Sequence, residues 1–358
     1  MDLPSSFLQR LTVACVCVGA LLRSPALAAA QSATTAMPRL HHVGLNTVDA
    51  DKAIAWYLEV WPSAKRVTVA GLPGVQSDML LLFTTVDRPP AGAWNERLHR
   101  AEAQSAFWHI GANINSTDTK ARLDPLGIFH LPLYISATDS TKQVWRSGLA
   151  PYAGTPTAAQ LASIAPSPPR DGGFSYVVGP DGVLFELTGG PGTRESFSHM
   201  HFYHEQPLCA ANWYVEHLGM ELPPVRDSNG KDSPRPPWNP CAMSYGEAGW
   251  PALEPLGTIR QPSGTVRFGN GTMSWYPRQC VGTRCGSDQK LVPSRGQILD
   301  HVAFSVENFD ALYAKLRRDG VKILEPPHAF GDTRAFMIED PDGLSIELVD
   351  VRKTSMKP

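Results

Sequence analysis

Four short strand-like runs in this chain each carry a histidine near their start. Successive side chains of a β-strand point to opposite faces. In the last run, His301 therefore shares a face with small residues, while Val302 and Phe304 share the other. The apolar face needs a covering helix, and the histidine face leaves space around an imidazole. The runs are LHHVGLNT from Leu40, WHIGANI from Trp108, SHMHFY from Ser198 and DHVAFSV from Asp300.

A unit of similar construction follows each run. His42 and His199 are each followed after fifteen residues by a tyrosine, Tyr57 and Tyr214, within a helical pattern of apolar residues. Recurrence of this kind indicates an array of similar supersecondary units. Each unit is predicted to be a strand, a helix and two or three antiparallel strands. We number the four units modules one to four in chain order.

Only modules two and four end in a proline-glycine turn and a glutamate. These are Glu186, in GPDGVLFEL, and Glu347, in DPDGLSIEL. With one strand histidine from each module, the chain offers two sets of two histidines and one carboxylate. Such a set binds a divalent ion on one side and leaves positions open to a substrate or dioxygen. Ferrous or manganous ion would support ring cleavage, and zinc or nickel would act as a Lewis acid.

On these strand-histidine and P-D-G-x-x-x-E motifs, the chain resembles the vicinal oxygen chelate superfamily. That superfamily includes glyoxalases, fosfomycin- and bleomycin-resistance proteins and extradiol dioxygenases, and the resemblance covers about residues 39–351. It implies an α+β fold in which four βαβββ modules pair into two cupped half-barrel domains. The expected domains are an N-terminal pair of modules in residues 31–195 and a C-terminal pair in residues 196–358.

The resemblance also implies which residues hold the metal. In four-module extradiol dioxygenases the ligands come from the first strands of modules three and four and from the last strand of module four. Carried over by motif, one expected set is His199, His301 and Glu347. The same rule applied to the first two modules gives His42, His109 and Glu186.

The extradiol signature further implies candidate catalytic residues. His328 has the order and spacing of the signature histidine, but Met337 stands where the signature has a tyrosine. In module two Tyr176 occupies the tyrosine position, where a phenol would orient or deprotonate a catechol. His201 shares a strand face with His199 and is either a proton carrier or an outer or exposed group. His41 has the opposite parity and is expected to be structural.

These patterns predict an exported metal-dependent enzyme that acts on a small molecule chelated through adjacent oxygens. An extradiol-dioxygenase-like reaction is the leading hypothesis, with Fe²⁺ or Mn²⁺ favoured and Zn²⁺ or Ni²⁺ as alternatives. A glyoxalase-like lyase or isomerase, or a non-catalytic small-molecule binding protein, is the alternative. The net charge of −2 argues against a nucleic-acid partner, which would require a basic surface. No apolar stretch of the mature chain has the length of a membrane span.

The N-terminus has the features of a secretory signal peptide. The apolar stretch LTVACVCVGALL follows Arg10, is too short to span a bilayer and leads into the small-residue series Pro25–Ala30. We therefore expect residues 1–30 to be a signal peptide, with cleavage near Ala28 to Ala30. The mature protein is predicted to be periplasmic or extracellular.

Four cysteines remain after this processing. Cys280 and Cys285 are close in sequence and are predicted to form a local disulfide in an oxidising compartment, with a zinc-binding pair as the alternative. Cys209 and Cys241 are candidates for a second disulfide.

Signal-peptide removal is directly testable. Mass spectrometry of the exported protein should find a new N-terminus between about Ala29 and Ala33. Soluble mature protein that retains Met1 would contradict this assignment.

Overall fold

Each of the four histidine runs begins a strand followed by a helix in the computed structural model. The structure describes residues 36–92, 105–114, 116–128, 130–131, 173–189, 192–204, 206–226, 231–233, 263–276 and 291–351. The predicted signal peptide and the cysteines Cys241, Cys280 and Cys285 lie outside these residues, so the signal peptide and both disulfides stay predictions.

The first half of the chain contains modules one and two. Module one consists of β1 (Arg39–Thr47), α1 (Ala50–Val60), β2 (Lys65–Val69), β3 (Leu72–Gln76) and β4 (Leu80–Thr85). Module two consists of β5 (Phe107–Asn113), α2 (Ser116–Leu123), β6 (His130–Leu131), β7 (Gly173–Val178) and β8 (Leu184–Gly189).

The second half contains modules three and four. Module three consists of β9 (Ser196–Tyr203), α3 (Pro207–Leu218), β10 (Val225–Arg226), β11 (Asp232–Ser233), β12 (Gly264–Phe268) and β13 (Gly271–Tyr276). Module four consists of β14 (Leu299–Val306), α4 (Phe309–Arg318), β15 (Lys322–Phe330), β16 (Thr333–Glu339) and β17 (Ser345–Asp350). No helix among the described residues is long and apolar enough to cross a membrane.

Local sequence explains where two of the helices start and stop. The Asp49 carboxylate accepts a hydrogen bond of 3.0 Å from the backbone N–H of Lys52 and so caps α1. Pro207 starts α3, where its missing N–H costs nothing, and Gly219 ends it in the left-handed conformation that glycine adopts readily.

The described strands form two large mixed sheets, and the predicted α+β class with two half-barrels is confirmed. The first sheet has eight strands in the order β15-β16-β17-β14-β1-β4-β3-β2. The second has seven strands in the order β12-β13-β9-β5-β8-β7-β6. The first sheet is thus built from modules one and four, and the second from modules two and three.

This pairing differs from the predicted pairing of chain neighbours. In the first sheet β1 runs antiparallel to β14, with Gly44 opposite His301. In the second sheet β5 runs antiparallel to β9, with Gly111 opposite His199. The expected half-barrels of residues 31–195 and 196–358 are therefore wrong. The four first strands share one alternation of apolar and small residues, so any of them can pair with any other, and contacts elsewhere select the partner.

Contacts between helices and turns connect the modules that the sheets leave apart. The Tyr214 hydroxyl, on α3, donates a buried hydrogen bond of 2.8 Å to Asp340 in the turn before β17. Asp340 also accepts bonds from the backbone N–H groups of Asp342 and Leu344, each of 2.8 Å. Module three is thereby fixed to module four, although their strands lie in different sheets. The described residues all belong to one compact unit, Thr35–Pro358.

The corresponding contact between modules one and two lacks its polar part. Tyr57, on α1, packs against Phe185 of β8 with ring centroids 5.8 Å apart. Gly179 stands where module four has Asp340, and among the described residues the buried Tyr57 hydroxyl has no hydrogen-bond partner.

The two tyrosines make a matched test of this difference. Burial raises the pKa of Asp340 to about 6, so at pH 8 the carboxyl is ionised. Tyr214→Phe should then lower the free energy of unfolding by about 1.5–3 kcal/mol, because a buried hydrogen bond to a charged group is lost. Tyr57→Phe should change it little, because that hydroxyl has no partner. Denaturant unfolding at pH 8 measures both, and equal losses would contradict the assignment.

Candidate metal centres

Two groups of ligand-type side chains lie on the histidine faces of the two sheets. The first, which we call the His42 site, consists of His42, His301 and Glu347. Nε2 of His42 lies 3.0 Å from Nε2 of His301 and 3.4 Å from Oε2 of Glu347. Nε2 of His301 lies 3.9 Å from the same oxygen. The three donor atoms thus converge on one point from β1, β14 and β17.

The chemistry of the His42 site fits a divalent ion. Oε2 of Glu347 is buried and has no hydrogen-bond partner among the described residues, which is costly unless another partner binds it. Burial raises the pKa of Glu347, although the nearby His301 and His328 oppose this. Burial also lowers the pKa of His42 well below its usual value, and His301 and His41 lower it further. A neutral imidazole is the form that binds metal.

Glycine makes room for one of these imidazoles. A methyl group at Gly44 would lie 2.3 Å from Cε1 of His301, far inside van der Waals contact. Gly111 has the same relation to His199 in the other sheet, at 2.5 Å. The close approach of the two first strands therefore requires a residue without a side chain opposite these histidines.

Residues next to the ligands orient the imidazoles of the His42 site. Oδ1 of Asp300 lies 2.8 Å from Nδ1 of His301, and Nδ1 of His41 lies 2.8 Å from Nδ1 of His42. Phe330 stacks on the His42 ring with centroids 5.4 Å apart. Burial disfavours ionisation of Asp300, but hydrogen bonding to His301 and other contacts lower its pKa to about 2. Partners of this kind fix ring orientation and raise ligand basicity.

His328 lies at the outer side of the His42 site, as the signature spacing predicted. Its Nε2 is 3.7 Å from Oε1 of Glu347, and its side chain is 35 % exposed. Met337 faces Glu347 across the β16–β17 pair, so the position that would carry a signature tyrosine presents a thioether. Arg295 contacts the Met337 sulfur at 3.1 Å and forms an ion pair of 3.0 Å with Asp300.

The second group, which we call the His109 site, consists of His109, Glu186, His199 and His201. Nε2 of His109 lies 3.0 Å from Oε2 of Glu186 and 3.3 Å from Nε2 of His199. Nε2 of His199 lies 3.4 Å from Oε1 of Glu186. Ser198 holds Nδ1 of His199 at 2.9 Å. This site takes its side chains from β5, β8 and β9.

Electrostatics in the His109 site favour an ionised carboxylate between neutral imidazoles. Burial opposes ionisation of Glu186, but His109 and His199 outweigh it and lower the pKa of Glu186 well below its usual value. Burial lowers the pKa of His109, and Glu186 opposes this shift. Both residues therefore have the protonation state that metal binding needs.

Tyr176 contacts the His109 site but does not have the properties of a base. It faces Glu186 across the β7–β8 pair and is hydrogen-bonded to that carboxylate. Burial and Glu186 together raise the pKa of Tyr176 well above its usual value. A neutral phenol that donates to Glu186 orients the carboxylate, so the predicted role in deprotonating a catechol is not supported by this environment.

The structure brings all six predicted ligand residues into these two groups but exchanges their partners. His199 and His301, expected in one set, lie in different sheets, and so do His42 and His109. The exchange follows from the strand pairing, since each site forms where two first strands meet. His201, named as a proton carrier or outer group, lies within the His109 site, and His328 lies beside the His42 site.

Alternation along the strands missed the orienting residues. The strand register shifts beside the ligand histidines, and an unpaired residue precedes each of them. Such bulges change the direction in which a side chain points, so these residues reach the sites despite their parity. The only sequence signal is a position directly before a strand histidine. The four unpaired residues are His41, Trp108, Ser198 and Asp300.

Comparisons with known proteins agree with this architecture. Residues 196–348, which span modules three and four, match the family model described as Glyoxalase/Bleomycin resistance protein/Dioxygenase superfamily. This match confirms the resemblance inferred from the motifs. No curated protein matches the chain.

Several solved structures resemble the chain in fold. Glyoxalase I from Zea mays is 16 % identical, with a TM-score of 0.53, and the match covers 87 % of this chain and 92 % of that chain. A mutant form of the same Zea mays enzyme is 14 % identical, with a TM-score of 0.51 and coverage of 88 % and 94 %. The fosfomycin resistance protein FosX from Listeria monocytogenes, complexed with Mn(II) and sulfate ion, is 15 % identical, with a TM-score of 0.25 and coverage of 42 % and 90 %.

The two facing glycines allow each site to be disturbed separately. Gly44→Ala should displace the His301 ring and weaken metal binding at the His42 site by about 10–100-fold, as loss of ligand orientation does. Gly111→Ala should do the same at the His109 site through His199. Metal stoichiometry under chelator competition measures both variants.

Each variant serves as the control for the other, because each should keep one ion at unchanged affinity. The unfolding transition of the metal-free proteins checks that the fold survives. Gly44→Ala protein that retains two ions at the original affinity would contradict the assignment of the His42 site.

Proposed function

Because the chain carries a domain of the glyoxalase, bleomycin resistance protein and dioxygenase superfamily, we propose that it is a metal-dependent enzyme. We assign its reaction to the His42 site and its substrate to small molecules chelated through adjacent oxygens. The observation that carries this proposal is the convergence of His42, His301 and Glu347, with an unpartnered buried carboxylate oxygen, beside a partly exposed histidine.

The His42 site is better suited to catalysis than the His109 site for two reasons. It has three ligand-type residues, which leave coordination positions for a substrate. His328 also lies within reach of these positions and is partly exposed, so it can exchange protons with solvent. In the His109 site the corresponding space contains His201.

The favoured reaction is a glyoxalase-like isomerisation or lyase reaction. Its support is that His42, His301 and Glu347 come from modules one and four, whereas the extradiol arrangement would take ligands from modules three and four. When bound, the ion would polarise the substrate oxygens and acidify the neighbouring C–H bond. His328 would remove the proton from that carbon and return it to the adjacent one.

The surrounding residues would hold the site in one geometry during this proton transfer. Asp300 and His41 fix the imidazoles of His301 and His42 through their Nδ1 atoms. Phe330 covers one face of the His42 ring. Arg295, anchored on Asp300, places a positive charge at the rim, where it would favour a substrate that carries negative charge.

Ring-cleaving dioxygenation is the second candidate. It is favoured by the position of His328, which lies near Glu347 as the extradiol signature requires, in a site with two histidines and one carboxylate. This reaction would use Fe²⁺ or Mn²⁺, and Met337 in place of the signature tyrosine would slow it. Export to a periplasmic or extracellular location remains part of the proposal and rests on the signal-like N-terminus.

Turnover assays with matched variants test the proposal. Protein loaded with Zn²⁺, Ni²⁺, Mn²⁺ or Fe²⁺ should convert a thiol adduct of a 2-oxoaldehyde in a metal-dependent manner. Glu347→Gln should abolish turnover, because the only ligand charge of the His42 site is lost, whereas Glu186→Gln should retain most of it. His328→Gln should lower kcat by about 10²–10⁴-fold, the usual contribution of an acid-base group, with metal content unchanged.

The other outcomes discriminate among the alternatives. Oxygen uptake with a catechol, without turnover of the thiol adduct, would replace isomerisation with dioxygenation. Turnover that survives Glu347→Gln but not Glu186→Gln would move the reaction to the His109 site. Saturable ligand binding that survives metal removal, without turnover, would overturn the enzyme proposal in favour of a binding protein.

A further inference from the structure

The two sites differ at one position of the strand junction. Where two first strands meet, each ligand histidine faces a residue of the partner strand. His301 faces Gly44, His199 faces Gly111 and His42 faces Ala303. At the fourth such position, opposite His109, the partner residue is His201. The space that glycine or alanine leaves open three times is therefore occupied by an imidazole once.

The His201 imidazole lies among the ligands of the His109 site. Its ring centroid is 4.6 Å from that of His109 and 4.1 Å from that of His199. The donor atoms that the four residues offer all lie within 4.8 Å of one another. Trp108 and Tyr276 pack on the other sides of the ring, at 5.7 Å and 4.9 Å, and so limit access to it.

Burial of this imidazole without a partner is unfavourable in the metal-free protein. Nδ1 of His201 is buried and has no hydrogen-bond partner among the described residues, and the same is true of Nδ1 of His109. A buried polar atom without a partner costs about 1–3 kcal/mol. An ion at the centre of the group would give the His201 ring a partner that the rest of the site does not supply.

We propose that His201 is the fourth ligand of the His109 site and that this site is closed to substrate. Three imidazoles and one carboxylate complete the tetrahedral set that Zn²⁺ prefers in structural sites, whereas three ligands leave a position open. The His42 site, with Ala303 at the corresponding position, has the open set. The protein thus holds two ions of different roles, and the role of the second does not depend on which reaction the first supports.

Cobalt substitution tests this assignment without an activity assay. The His109 site is isolated in a Glu347→Gln background and loaded with Co²⁺, whose visible absorption is strong in four-coordinate tetrahedral sites and weak in more open ones. We expect a strong band that does not change when azide is added, because a closed site has no position for an external anion.

Changing His201 to the residue of the other site should open the His109 site. His201→Ala, which copies Ala303, should weaken the cobalt band, make it respond to azide and lower Zn²⁺ affinity by about 10–100-fold or more. Ser274→Ala is the matched control, since Ser274 pairs with His201 on the neighbouring strand β13 and bonds to Thr265 rather than to the site. This control should leave the band, the azide response and the Zn²⁺ affinity unchanged.

Two results would overturn the proposal. A parent protein whose cobalt band responds to azide has an open site, and this result does not depend on the folding of any variant. Variants His201→Ala and His201→Gln that keep the parent band and Zn²⁺ affinity would show that His201 is not a ligand. The second of these variants preserves side-chain volume, so it separates loss of a ligand from loss of packing.

Discussion

The close approach of two antiparallel first strands is the constraint on which both sites depend. The imidazole of His301 lies directly over Gly44, and that of His199 over Gly111, so any side chain at either glycine would displace the ring. The same junctions join module one to module four and module two to module three. Sheet formation and ligand assembly are therefore one event, and a residue that spoils one of them spoils the other.

Two kinds of contact between modules make the described part of the chain a single unit. Strand pairing joins the outermost modules in one sheet and the middle modules in the other. Packing of α1 and α3 on the turns before β8 and β17 joins each module to its neighbour in sequence. Because every module takes part in both kinds of contact, no pair of modules has a complete core of its own. The Tyr214–Asp340 hydrogen bond lies at one of these helix–turn contacts.

Residue types and spacing were sufficient to predict the α+β fold, the six ligand residues and the position of His328. They could not predict the partner of each strand, because the first strands are interchangeable in pattern and the choice depends on contacts far along the chain. They also placed Asp300 on the wrong face, because alternation assumes a regular strand and the unpaired residue there breaks the alternation. The difference between His201 and Ala303 was visible in the sequence, but its meaning required the register.

The exchange of partners sets the order in which the sites can assemble. His109 and His199 are 90 residues apart, whereas His42 and His301 are separated by 259. Closing the longer loop costs more entropy, although only slowly with length, and it requires nearly the whole chain to be available. As the polypeptide emerges from the ribosome or a translocation channel, the inner pair of modules can meet first. The outer pair then closes around it, so the His42 site forms only once the last strand is in place.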